Sequence, residues 1–101
     1  MAQGLILEFD GFGRDTYEAV NEQMGIDMVT GQGVWPPGLI SHAGGPKPGG
    51  WVVMEIWESH EDQERFMQDR LGRALQQSGV SGPPSRLEWL DLAAYHTPSA
   101  A

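Results

Sequence analysis

Glu55 has the surroundings that most call for a chemical explanation. It stands in the run Trp51-Val52-Val53-Met54-Glu55-Ile56-Trp57-Glu58, where bulky apolar residues occupy both faces of a strand. Residues two apart on a strand share a face. Glu55 therefore lies with Trp51, Val53 and Trp57, while Val52, Met54 and Ile56 lie opposite. A carboxylate in a water-poor place is suited to proton transfer near neutral pH, because burial penalises its charged form. The same residue also has a structural reading, as a carboxylate paired across a subunit interface with Arg86 or Arg14.

His42 is the second candidate. It sits on a short strand beside a glycine-rich stretch, and imidazole is the side chain best suited to move protons near neutral pH. Its plainer reading is a polar residue on a half-buried strand. Tyr95 and Asp91 share a face with Trp89 on the last strand, and a tyrosine hydroxyl there is a donor for a developing oxyanion. A tyrosine at an interface with its hydroxyl in water fits the pattern equally. Trp51, Trp57 and Trp89 are the expected wall of a pocket for a flat ligand, or else interface core. His42, His60 and His96 show no HxxxH, HxH or HExxH spacing, so no metal site is specified.

Periodicity places these residues on elements. Leu5 to Phe9 reads as a first strand ended by Gly11-Phe12-Gly13. That turn is not a dinucleotide fingerprint, since Thr16 stands where the third glycine belongs. Residues 14 to 25 take helical spacing through Tyr17, Val20 and Met24. Residues 26 to 37 form a long Gly- and Pro-rich loop carrying Trp35, of a length that suits a pocket cover. Leu39 to Ala43 reads as strand two, and Gly44 to Gly50 as the connection to strand three. Ser59, with Asp62 three residues on, caps a second helix over residues 60 to 77. Its apolar stripe is Phe66, Met67, Leu71, Ala74 and Leu75. The last strand is expected over Arg86 to His96.

The order β-α-β-β-α-β is the split pattern of the α+β ferredoxin-like fold with an antiparallel sheet. Two helices cover one sheet face. Strands three and four carry apolar bulk on both faces, so the other face needs its own cover. A second copy in two-fold pairing is the simplest one.

The 101 residues allow one domain, residues 1–101. The formal net charge of −8 argues against nucleic acid or an anionic membrane as partner. Without cysteine there is neither a disulfide framework nor thiolate chemistry. The start of the chain lacks the pattern of a signal peptide, and no stretch approaches the ~20 apolar residues of a membrane helix, so a cytoplasmic location is expected.

Glu55-Ile56-Trp57-Glu58-Ser59, with a helix starting directly after it, resembles the third-strand ending of the dimeric α/β-barrel superfamily, antibiotic-biosynthesis monooxygenases included. The resemblance extends over residues 4 to 96. Gly38 to Pro46 and Arg65 to Gly72 look like small actinobacterial-type proteins of unassigned function. The superfamily includes cofactor-free oxygenases of polycyclic phenols, haem-degrading enzymes, isomerases, dehydratases and binding proteins. Haem-degrading members carry an iron-ligating histidine on the second helix, and residues 63 to 69 here contain none.

The resemblance thus implies a homodimer and a cofactor-free oxygenase, cyclase or isomerase acting on an aromatic or polyketide-like substrate. Glu55 or His42 would be the base and Tyr95 the anion-stabilising donor. Trp51, Trp57, Trp89, Asp91 and Trp35 would contact the substrate. The alternative is a non-catalytic small-molecule-binding or structural homodimer.

Overall fold

A computed structural model describes residues 2–98. Four strands form one sheet in the order β2-β3-β1-β4: β1 (Gln3–Asp10), β2 (Leu39–Lys47), β3 (Gly50–Trp57) and β4 (Arg86–Asp91). Every neighbouring pair is antiparallel. Helix α1 (Arg14–Gln23) joins β1 to β2. The β3–β4 connection runs as α2 (His60–Phe66), a π-helical turn (Met67–Leu71) and α3 (Gly72–Gln77). This is the α+β ferredoxin-like fold.

Local chemistry sets the helix ends. Gly25 lies at φ +76°, and the Ile26 and Gly25 amides donate to the Asn21 and Glu22 carbonyls. These two bonds close α1 in a Schellman arrangement that needs a left-handed residue at this point. Ser59 Oγ accepts from the Asp62 amide at 3.1 Å and reaches Asp62 Oδ2 at 2.9 Å, capping α2. The π turn is where one extra residue is absorbed in an otherwise continuous helix, an irregularity often found beside functional sites.

The core lies between the helices and one sheet face. Leu5, Leu7 and Phe9 of β1 and Trp51, Val53 and Trp57 of β3 are buried there with Val20, Phe66 and Ala74. Trp57 is 0% exposed. Truncating such a residue to Ala typically costs about 3–5 kcal/mol. The opposite face carries Ile6, Met54, Ile56 and Leu90, with Met54 53% exposed.

Two expectations are corrected and one open point is decided. Strand β2 runs on to Lys47, so most of the Gly-Pro stretch is strand, and the hairpin turns at Pro48 and Gly49. Pro46 is tolerated because β2 is an edge strand. Strand β4 stops at Asp91, which leaves Tyr95 and His96 beyond it. The face bearing Glu55 is covered by the chain's own helices, whereas the face of Met54 is the open one. Alternation told the two faces apart but not which of them the helices would take.

Candidate functional site: a Glu-His-Tyr chain under the helices

Strand register brings the site together. His42 of β2 is directly opposite Glu55 of β3. The two-residue turn at Pro48 and Gly49 sets this pairing, since the register runs unbroken from Lys47 opposite Gly50 to Ser41 opposite Ile56. A β-bulge at Ile40 lies beyond His42 and shifts only the start of the strand, placing Leu39 opposite Trp57. His42 Nδ1 lies 2.7 Å from Glu55 Oε2. The other carboxylate oxygen accepts from Trp57 Nε1 at 3.0 Å. Glu55 is 8% exposed, and both its oxygens have partners.

Tyr17 completes the chain from above. It sits on α1, and its hydroxyl is 2.5 Å from His42 Nε2. In the tautomer that donates Nδ1–H to the carboxylate, Nε2 is the acceptor and the Tyr17 hydroxyl is its donor. The Tyr17 ring lies 4.8 Å from that of Trp51. Burial, then the nearby Glu55 charge, pushes the Tyr17 phenol above its usual range, against an opposing contact from Asn21. Gly44, two residues along β2 from His42, provides the space. A Cβ there would lie 2.7 Å from the Tyr17 hydroxyl.

Tyr17, His42 and Glu55, with Asn21, form the polar part of the wall of a cavity between sheet and helices, whose apolar part includes Leu7, Val53 and Phe66. Its volume is about 50 Å³, room for a few waters and no more. Ile26, Met28, Trp35 and Pro36 of the α1–β2 loop close it. Arg70, from the π turn, clamps that loop by donating to the Met24 and Val34 carbonyls at 2.8 and 2.6 Å. No lysine or arginine is among the described residues that line the cavity. No group of three or more His, Cys, Asp and Glu among them is placed to hold a metal ion.

The residues singled out from the sequence are distributed unevenly. His42, Glu55 and Trp35 line the cavity. Trp57 is core and meets the site only through its indole N–H. Trp51 is buried beneath Tyr17, with the Arg14 guanidinium 5.8 Å from its ring, so Arg14 is not the partner of Glu55. Arg86 is not either, since it pairs with Glu8 at 2.8 Å and with Glu88. Trp89 packs against His60, with ring centroids 4.0 Å apart and the planes tilted by 45°. Asp91 is exposed and accepts from Gln3 at 3.4 Å. Tyr95 is 43% exposed and is not part of this wall.

Tyr17 is the functional candidate that sequence reasoning missed, having been assigned to a helical core stripe. The available signal was a tyrosine on the core face of a covering helix, whose buried hydroxyl needs a polar partner on the sheet below.

No protein-family model matches the chain. No curated protein matches it either. Solved structures do. One, from Chloroflexus aurantiacus J-10-fl and provisionally described as an antibiotic biosynthesis monooxygenase, superposes with a TM-score of 0.67 at 16% identity, over 96% of this chain and 98% of that one. Another, a protein of unknown function from Nitrosomonas europaea, has a TM-score of 0.67 at 13% identity, over 98% of this chain and 96% of that one. The chain shares the fold of these proteins from end to end, including a neighbour described as a monooxygenase.

Proposed function

We propose that this protein is a small-molecule enzyme that starts its reaction by removing a proton from a neutral, apolar, aromatic or polyketide-like substrate without a bound cofactor. His42 is the base. Glu55 orients its ring and compensates the charge it gains, and Trp57 holds Glu55. The observation that carries this reading is the His42–Glu55 contact of 2.7 Å in the wall of an otherwise apolar cavity. A base held by a carboxylate is a recurrent arrangement for general acid–base catalysis. The absence of lysine and arginine from the described lining disfavours an anionic substrate.

The enolate or phenolate formed would either reduce dioxygen, as in an oxygenase, or be reprotonated or cyclised. Oxygen consumption separates these outcomes. A ring-sized substrate exceeds about 50 Å³, so binding requires the loop closed by Arg70 to open. The Ile6, Met54, Ile56 and Leu90 face supports a homodimer formed by pairing two sheets.

The first test uses β-tetralone, an aromatic ring fused to a carbon acid, in deuterated water. The protein is expected to speed deuterium incorporation beside the carbonyl, and H42Q and E55Q to lose that effect. Exchange no faster than in buffer would count against the base. The second reading, a binding or structural homodimer, is favoured by the small cavity volume. It predicts exchange no faster than in buffer for wild type and E55Q alike.

A further inference from the structure

We infer that Tyr17 is the residue that takes the substrate's proton, passing its own hydroxyl proton to His42. This deepens the reading above and rests on it. His42 has two ring nitrogens, and Glu55 occupies Nδ1. The only ring atom left to receive a proton is Nε2, and the Tyr17 oxygen already sits on it. A substrate in the cavity therefore meets the Tyr17 hydroxyl before it meets the imidazole.

Several features hold that hydroxyl in place. The Tyr17 carbonyl accepts from the buried Asn21 amide at 2.9 Å, at the helical spacing of four residues. Trp51 supports the ring from below. Gly44 leaves the space in which the ring end lies against the strand, since a Cβ would also come 2.9 Å from the Tyr17 Cζ. A phenol whose ordinary value is 10.0, raised further by burial, is protonated at neutral pH, so it enters the reaction as a relay and not as a standing phenolate.

The step balances as a double proton transfer. The substrate C–H bond breaks as its proton bonds to the Tyr17 oxygen, and the Tyr17 O–H bond breaks as that proton bonds to His42 Nε2. The C–H electron pair stays on the substrate as an enolate. His42 becomes an imidazolium facing Glu55. Reprotonation at carbon runs the same path backwards, and no oxidant is consumed.

The test compares β-tetralone exchange by wild type, Y17F and H42Q, alongside tyrosinate absorbance titrations of Y95F and Y95F/H42Q. Tyr17 and Tyr95 are the only tyrosines, so Y95F reports Tyr17 alone. Y17F is expected to lower the saturating exchange rate about 100-fold, the lower range for a positioned acid–base group, with half-saturation unchanged. H42Q is expected to shift the ionisation of Tyr17. If Y17F matches or exceeds wild type while H42Q is silent, Tyr17 is a plug and the relay is wrong, though His42 remains the base. If wild type itself does not exchange, the base reading fails. The Tyr17–His42 link is then judged by titration alone, and an unmoved Tyr17 midpoint in H42Q would overturn it.

Discussion

His42 and Glu55 face one another across neighbouring strands, with Nδ1 of one 2.7 Å from Oε2 of the other, because the two-residue turn at Pro48 and Gly49 fixes the register of β2 on β3. Glu55 also accepts from Trp57, so two donors converge on one carboxylate. An amide can serve both only by forcing His42 into the Nε2–H tautomer, which reverses its hydrogen bond with Tyr17 and replaces two charge-assisted bonds with neutral ones. E55Q is therefore expected to lose about 1–3 kcal/mol of stability, in the range for hydrogen bonds to a charged group. Urea unfolding measures this. A midpoint equal to wild type would mean that Glu55 does not hold these donors in solution.

Gly44 makes room for the end of a flexible side chain and not for backbone. Alanine there should swing the Tyr17 hydroxyl off His42 at small cost to folding. In the Y95F background, G44A is expected to bring the Tyr17 ionisation down towards its ordinary value of 10.0 as the ring becomes wetter. An unchanged tyrosinate titration would show that the hydroxyl is not seated over Gly44.

The raised Tyr17 phenol links stability to alkaline pH. Its folded form holds a proton that the unfolded chain releases near pH 10.0. The stabilisation is therefore complete below that pH and is lost as pH rises towards the higher folded value. Glu8 works at the opposite end of the scale. Hydrogen bonds from Arg86, then Lys47, hold it below 4.5, so its contribution is present above that pH and is lost as pH falls through the lower folded value. Melting temperatures across pH should show Y17F flattening the alkaline decline and E8Q flattening the acid one. Parallel curves for variant and wild type would remove the link.

The closing loop depends on its clamp and on one tight glycine. R70A removes the donor to Met24 and Val34, and is expected to raise amide exchange over residues 25 to 34 with little change in global stability. Gly33 lies at φ +139°, where a Cβ would come 2.2 Å from the Gly25 carbonyl oxygen. G33A should therefore cost at least the ~1–3 kcal/mol of a strained backbone position. Exchange rates in R70A that match wild type would mean the loop is held by its apolar contacts alone.

The open sheet face gives a test of assembly. A glutamate at Met54, at the centre of the face carrying Ile6, Ile56 and Leu90, would place a charge in any sheet-to-sheet contact. Light scattering is expected to show wild type as a dimer and M54E as a folded monomer. A wild-type monomer would remove the homodimer from the proposed function.

Much of the architecture was legible in the chain because it follows from local rules. Period-two and helical spacing placed four strands and the helices, and Ser59 with Asp62 marked where α2 starts. Element ends were less legible. Leu92 to His96 alternate like a strand, yet β4 ends at Asp91, because pairing needs a neighbour and β1 begins at Gln3. Glu55 and His42 were recognisable from residue type alone. Their contact was not, since it depends on a two-residue turn at Pro48 and Gly49 within a Gly- and Pro-rich stretch that reads as loop throughout.

The sequence by itself determined the element order, the sharing of a face by Glu55, Trp51 and Trp57, and the shortage of basic residues. Each is a property of neighbours along the chain or of simple composition. Only the tertiary structure decided which sheet face the helices cover, that His42 and not Arg14 or Arg86 meets Glu55, and that Tyr17 rather than Tyr95 meets His42. Those outcomes depend on strand register and on where a helix from one end of the chain settles over a glycine 27 positions further along, from Tyr17 to Gly44. Such long-range packing choices carry no local signature.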